Sequence, residues 1–196
     1  MSIFQLKQNL VDPVDLHGVI KIQFGQQDDP LISTYLTRLD QALITWGVMT
    51  AIIFLTAQFY LLDWYTQAII WSVLSCLAIV IAGKLTWFWV TTRNQRWILY
   101  AWSILVLIGL GFTDYGIFVG SGMILRHLCV LWLGISALGY VITGIGIRAP
   151  ALVFMGGVHV CTMPFLALLS VPQFLLTGII MSVSLFFLAA FHWQHQ

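Results

Sequence analysis

The chain has 196 residues, 60% of them hydrophobic and only 8% charged, with a mean hydropathy of +0.96, whereas soluble domains carry roughly 25% charged residues. Its net charge is +1, its seven acids are all Asp, and five of these, Asp12, Asp15, Asp28, Asp29 and Asp40, precede the first long apolar run. This composition describes an integral membrane protein of the all-α class and excludes a nucleic-acid surface or a long charged tail.

The first forty residues are too polar to span a bilayer and lack a short apolar core followed by a small-residue cleavage site, so they are expected to be retained as a cytoplasmic N-terminal segment. Within them "HGVIKIQFG" reads as a β-strand. Ile20, Ile22 and Phe24 share one face, Val19, Lys21 and Gln23 the other, with glycine at both ends. "IFQLK", with Phe4 and Leu6, is the expected hairpin mate. Asp29 and Pro30 then suit the cap and first position of an amphipathic helix carrying Ile32, Tyr35, Leu36 and Leu39 at helical spacing. A lone hairpin is marginal in water, so this one must rest on the bundle or on lipid headgroups, or join another polypeptide through its edge. Val19, Ile20, Ile22 and Phe24 are therefore candidate docking residues. The plainer alternative is an extended segment covering the helix ends.

A hydrocarbon core of about 30 Å takes about 20 helical residues, and six stretches approach that length: 41–62, 68–91, 97–113, 123–146, 150–170 and 173–193. Short links between them, including "DWYTQ", "TRNQR" and the Gly-rich "TDYGIFVGSG", predict a compact six-helix bundle of antiparallel neighbours. Pro150 and Pro172 open the last two spans. Lys7, Lys21, Arg38, Arg93, Arg96 and Arg148 all fall on the side of the N-terminus. That distribution predicts that both termini are cytoplasmic, in a bacterial-type plasma membrane or a photosynthetic membrane.

Along the second span, Ser72, Cys76, Ala78, Ala82 and Gly83 form a small-residue face, as do Gly134, Gly139 and Gly144 in the fourth; such faces pack helices within or between subunits. Lys84 can snorkel past Trp87 and Trp89. Of the nine Trp, Trp64, Trp87, Trp89, Trp97 and Trp193 suit an interfacial belt, while Trp46, Trp71, Trp102 and Trp132 sit deeper and suit packing. Aromatic content this high also suits a pigment or quinone site, but anchoring is the commoner cause.

Ionisable residues inside a membrane are functional candidates because they are expensive there. Asp114, Arg126 and His127 bracket the Gly-rich loop, where a structural Asp114–Arg126 clamp closing the loop is the expected reading and a mouth for an anion or polar substrate the alternative. His159, near the middle of the fifth span beside Gly156 and Gly157, is either a ligand or proton-relay residue, or a neutral ring bonded to Thr45, Thr50, Ser72 or Ser75 of a neighbouring helix.

Several chemistries fail on geometry. His127 and His159 lie at different depths, so they do not make a bis-His haem site, and His192 is at the inner end. "GSG" at 120–122 and His192 lie at opposite faces and cannot form a dyad. Cys76, Cys129 and Cys161 lack ligand spacing, and without Glu or HExxH no metalloprotease or metal site is expected. No cofactor is expected. The predicted role is a non-catalytic accessory or assembly subunit whose partners are the bilayer and a second protein or copy. A small transporter or channel with a polar path near Asp114, Arg126, His127 and His159 is the alternative, and a cofactor-binding redox protein the second.

Overall fold

A computed structural model describes residues 17–26, 29–168 and 172–191, without the side chains of 22–26, 29–34 and 167. Two strands, β1 (Ile20–Gln26) and β2 (Asp29–Leu36), precede seven helices: α1 (Arg38–Phe59), α2 (Trp64–Thr92), α3 (Arg96–Val119), α4 (Gly122–Arg126), α5 (Leu128–Gly146), α6 (Pro150–Leu168) and α7 (Gln173–Ala190). Five of them, α1, α2, α3, α5 and α7, are long and apolar enough to cross a membrane, and α6 stands with them as a shorter apolar helix. The molecule is an α-helical membrane bundle.

The strand's mate is the segment expected to be a helix. β1 pairs antiparallel with β2, placing Ile20 opposite Leu36 and Lys21 opposite Tyr35, with a register shift between Phe24 and Gly25. Asp29 and Pro30 thus open a strand, because a stronger helix start lies downstream. Thr37 accepts from the Asp40 backbone N–H through its hydroxyl, and Asp40 accepts from the Thr37 backbone N–H at 2.8 Å, a reciprocal capping box that begins α1 at Arg38. Residues 3–7, the mate expected from sequence, lie outside the described residues. The base of the hairpin is tied to the bundle: Gln41 donates through Nε2 to the carbonyls of Gly18 and Leu36 at 3.0 and 3.2 Å, and the His17 and Phe88 rings stack 4.3 Å apart.

The third span is longer than its predicted 97–113. Asp114 to Val119 continue the helix, which ends where Gly120 takes a left-handed φ of 69°. The Gly-rich loop is thereby mostly helical. The predicted 123–146 span is split at His127 into the single turn of α4 and the membrane-length α5. Asp63 caps α2; the Thr66 hydroxyl and backbone N–H hold its carboxyl below the usual carboxylate range. Pro172 sits one residue before α7, as its cap.

Six helices close into a ring in which α1 lies between α2 and α7, α3 joins α2 to α5, and α5 and α6 pair and meet α7. Glycines set the close approaches. A Cβ at Gly156 would lie 3.1 Å from the Ala137 carbonyl, one at Gly139 2.6 Å from the Trp102 ring, and one at Gly178 2.6 Å from Phe54. Gly157 has no atom within 4 Å of such a Cβ, so only the first of the two neighbouring glycines packs. The ring's outer surface is apolar, with Ile69, Val73, Leu77 and Val80 exposed along α2, while Thr50, Ser75, Thr86, Thr113, Ser136 and Thr143 are buried inside. Lipid, not water, suits that exterior.

Candidate functional site

The ring encloses a cavity of about 200 Å³ to which α1, α2, α3, α5, α6 and α7 all contribute. An engineered apolar cavity of about 150 Å³ already takes up benzene. Leu39 and Phe54 on α1, Ile98 and Thr113 on α3, and Trp132 and Ile147 on α5 all line it, so its lining spans about 22 Å of helix at 1.5 Å per residue. A volume of that size spread over that length is a narrow slot.

Its wall is aromatic and uncharged. Trp46, Trp71, Trp89, Trp102, Trp132 and Tyr140 line it, and no Asp, Lys or Arg does. Three of the indoles spend their N–H on threonine hydroxyls: Trp71 on Thr56 at 3.3 Å, Trp102 on Thr143 at 3.0 Å, and Trp132 on Thr113 at 3.2 Å. Each bond removes a polar demand from the slot and fixes a large flat side chain in one orientation. Trp46, Trp71, Trp102 and Trp132, expected as packing residues, are therefore cavity walls. Trp89, expected in the interfacial belt, is buried beside the slot, with Arg93 over its ring at 5.4 Å. Trp64, Trp87 and Trp97 are exposed as a belt requires, and Trp193 lies outside the described residues.

His159 is the one ionisable group of the predicted set on this wall. It is 0% exposed, its ring centroid lies 5.1 Å from that of Tyr140, and Tyr140 in turn packs edge-on against Trp102 at 5.3 Å. The expected bond to Thr45, Thr50, Ser72 or Ser75 is not made. Nδ1 instead bonds the Met155 carbonyl one turn back in its own helix, at 2.8 Å, and Nε2 has no partner. A carbonyl only accepts, so Nδ1 carries the proton and a neutral ring presents Nε2 as a bare acceptor.

The other three predicted site residues stand elsewhere. Asp114 accepts from the Ser72 hydroxyl at 2.9 Å, joining α3 to α2, and its second oxygen is buried without a partner. The expected clamp is absent: Arg126 donates through Nε to the Gly122 carbonyl at 3.0 Å, within its own turn. His127 Nδ1 bonds the Met123 carbonyl at 2.7 Å on the exposed end of α4. The helical continuation of α3 removes the loop that was to bring Asp114 and Arg126 together. None of the three lines the cavity, so no continuous polar path to His159 is assembled from them. Of the docking residues, Val19 is half-buried and Ile20 is 50% exposed, while Ile22 and Phe24 pair in backbone register with Thr34 and Ile32. His192 lies outside the described residues. Among the described residues no cluster of metal-ligating side chains forms.

Compared with known proteins, the chain matches no family model, no curated protein and no solved structure.

Proposed function

We propose that this chain is a membrane-embedded binding protein that holds a lipid-soluble molecule with a long, narrow body inside its six-helix ring. The slot carries the proposal. Membrane helices gain nothing from the hydrophobic effect when they merely associate in lipid, so their interiors close by packing. A drawn-out apolar space walled by five indoles, three of them fixed by threonine hydroxyls, is what an apolar guest of matching shape would fill. The tagged protein, extracted in a mild detergent and analysed by native mass spectrometry, is expected to carry one apolar small molecule per chain. Ala82 lines the slot, and Ala82→Phe is expected to lose that mass. Chains uniformly free of bound mass, whatever the expression host, would sink the proposal.

A second reading, an accessory subunit docked to a partner protein, is favoured by the hairpin. β1 and β2 are anchored at their base through Gly18, Leu36 and His17, and Ile20 is half exposed. An antiparallel pair standing at the end of a bundle offers backbone and side chains for strand addition. Arg38, Arg93, Arg96 and Arg148 belong to the same end of the helices as the hairpin, which supports placing that end, with both termini, on the cytoplasmic side.

A further inference from the structure

The ligand-binding role proposed above leaves open what the guest is, and His159 narrows it. Its imidazole is wholly buried on the cavity wall, with Nδ1–H spent on the Met155 carbonyl and Nε2 unpartnered. Among the described residues the ring contacts Tyr140, whose ring also packs against Trp102. Protonating Nε2 would place a cation near mid-membrane with no carboxylate on the cavity wall, which is expensive. The wall therefore holds an unmatched acceptor at this depth, covered by side chains that a guest parts to reach it. A buried acceptor left unmatched costs free energy, so the complementary guest is one that donates a hydrogen bond there.

The rest of the wall fixes the donor's surroundings. Trp102 and Tyr140 stand beside His159 as an aromatic corner, which favours a flat ring carrying the donor. Ser136, one turn from Tyr140 on α5, adds a further hydroxyl to the wall. Above and below that depth the lining is mostly apolar and narrow, which suits an aliphatic tail. A metal tetrapyrrole, the other partner a bare imidazole could take, is a broad disc too large for a cavity of about 200 Å³.

We infer that the guest is a phenolic lipid, a phenol or hydroquinone head on an isoprenoid or alkyl tail, whose O–H donates to His159 Nε2 while its ring lies against the aromatic corner that Trp102 and Tyr140 form. The contact is a binding contact, and no electron or proton transfer is assigned to it.

The test compares two probes of nearly the same shape: a hydroquinone with a short isoprenoid tail, kept reduced, and its dimethyl ether, which has no O–H. Binding to the full chain in detergent is read from quenching of the cavity tryptophans. The hydroquinone is expected to bind wild-type protein about tenfold more tightly than the ether, the weight of one buried hydrogen bond. In His159→Leu the two probes are expected to bind equally, and His159→Gln, which keeps an acceptor, is expected to restore part of the preference. Equal binding of both probes to wild type would overturn the phenolic assignment and leave the apolar cavity standing. Binding of neither would overturn both. A visible absorption band in the purified protein that disappears in His159→Leu would overturn the assignment in favour of a metal tetrapyrrole on Nε2.

Discussion

Gly139 shows how finely the interior is set. A methyl group there would come within 2.6 Å of the Trp102 indole, and the indole cannot swing away without breaking its 3.0 Å bond to Thr143. Gly139→Ala is thus expected to cost about 1–3 kcal/mol, seen as a lower thermal unfolding midpoint in detergent. Gly157→Ala, with nothing within 4 Å of the added group, is the control and should melt close to wild type; an equal drop in both would show that Trp102 is not what constrains Gly139. The Trp–Thr pairs are a signal that sequence reading missed. Residues that meet across helices, 41 positions apart for Trp102 and Thr143, share no local spacing that a one-dimensional pattern can detect. His159 is the opposite case: its burial at mid-span was legible because a polar residue in an apolar run has nowhere else to go, yet its partner was not. The i−4 carbonyl competes successfully with hydroxyls on other helices because it is always one turn away and needs no tertiary placement.

At the scale of elements, the misread segment 29–36 is instructive. Leu and Tyr at helical spacing fitted a helix and Ile, Thr and Tyr fitted a strand, and the choice fell to what lay on either side. Thr37 and Asp40 close a capping box that starts α1, so the residues before it are free to pair with β1. The same segment carries the docking reading. Deleting residues 17–36 is expected to release a stoichiometric partner from the native complex, measured as a loss of mass on native electrophoresis, while the six-helix ring stays folded because its cavity lining begins at Leu39. Unchanged migration of the complex would remove the hairpin from any docking role. Helix ends were harder to place than helix centres: α3 runs on to Val119 because Gly116 packs against Ile124 and the left-handed turn comes only at Gly120. A glycine-rich string thus reads as a loop until tertiary contacts show which glycine turns and which one packs.

For the whole molecule, orientation is the property that charge alone predicts, and it has a direct measurement. In a background with Cys76, Cys129 and Cys161 replaced by Ala, a membrane-impermeant maleimide applied to intact cells is expected to label Leu61→Cys and to leave Thr92→Cys unlabelled until the cells are opened. The reverse pattern would put the hairpin end outside. The small-residue face at Ala78 and Ala82 looked equally suited to a neighbouring subunit; Ala78 is fully buried and Ala82 lines the cavity, so both are turned inward. Sequence by itself determined the class of the protein, the approximate number of its spans and their alternation, because transfer into lipid acts on each segment separately and leaves its mark in composition. Only the tertiary structure decided which faces meet, that five indoles and a histidine line one slot, and that Asp114 and Arg126 do not meet. Those outcomes depend on the rotation of every helix against its neighbours, and in lipid no contrast between apolar and watery surroundings writes that rotation into the sequence of any one helix.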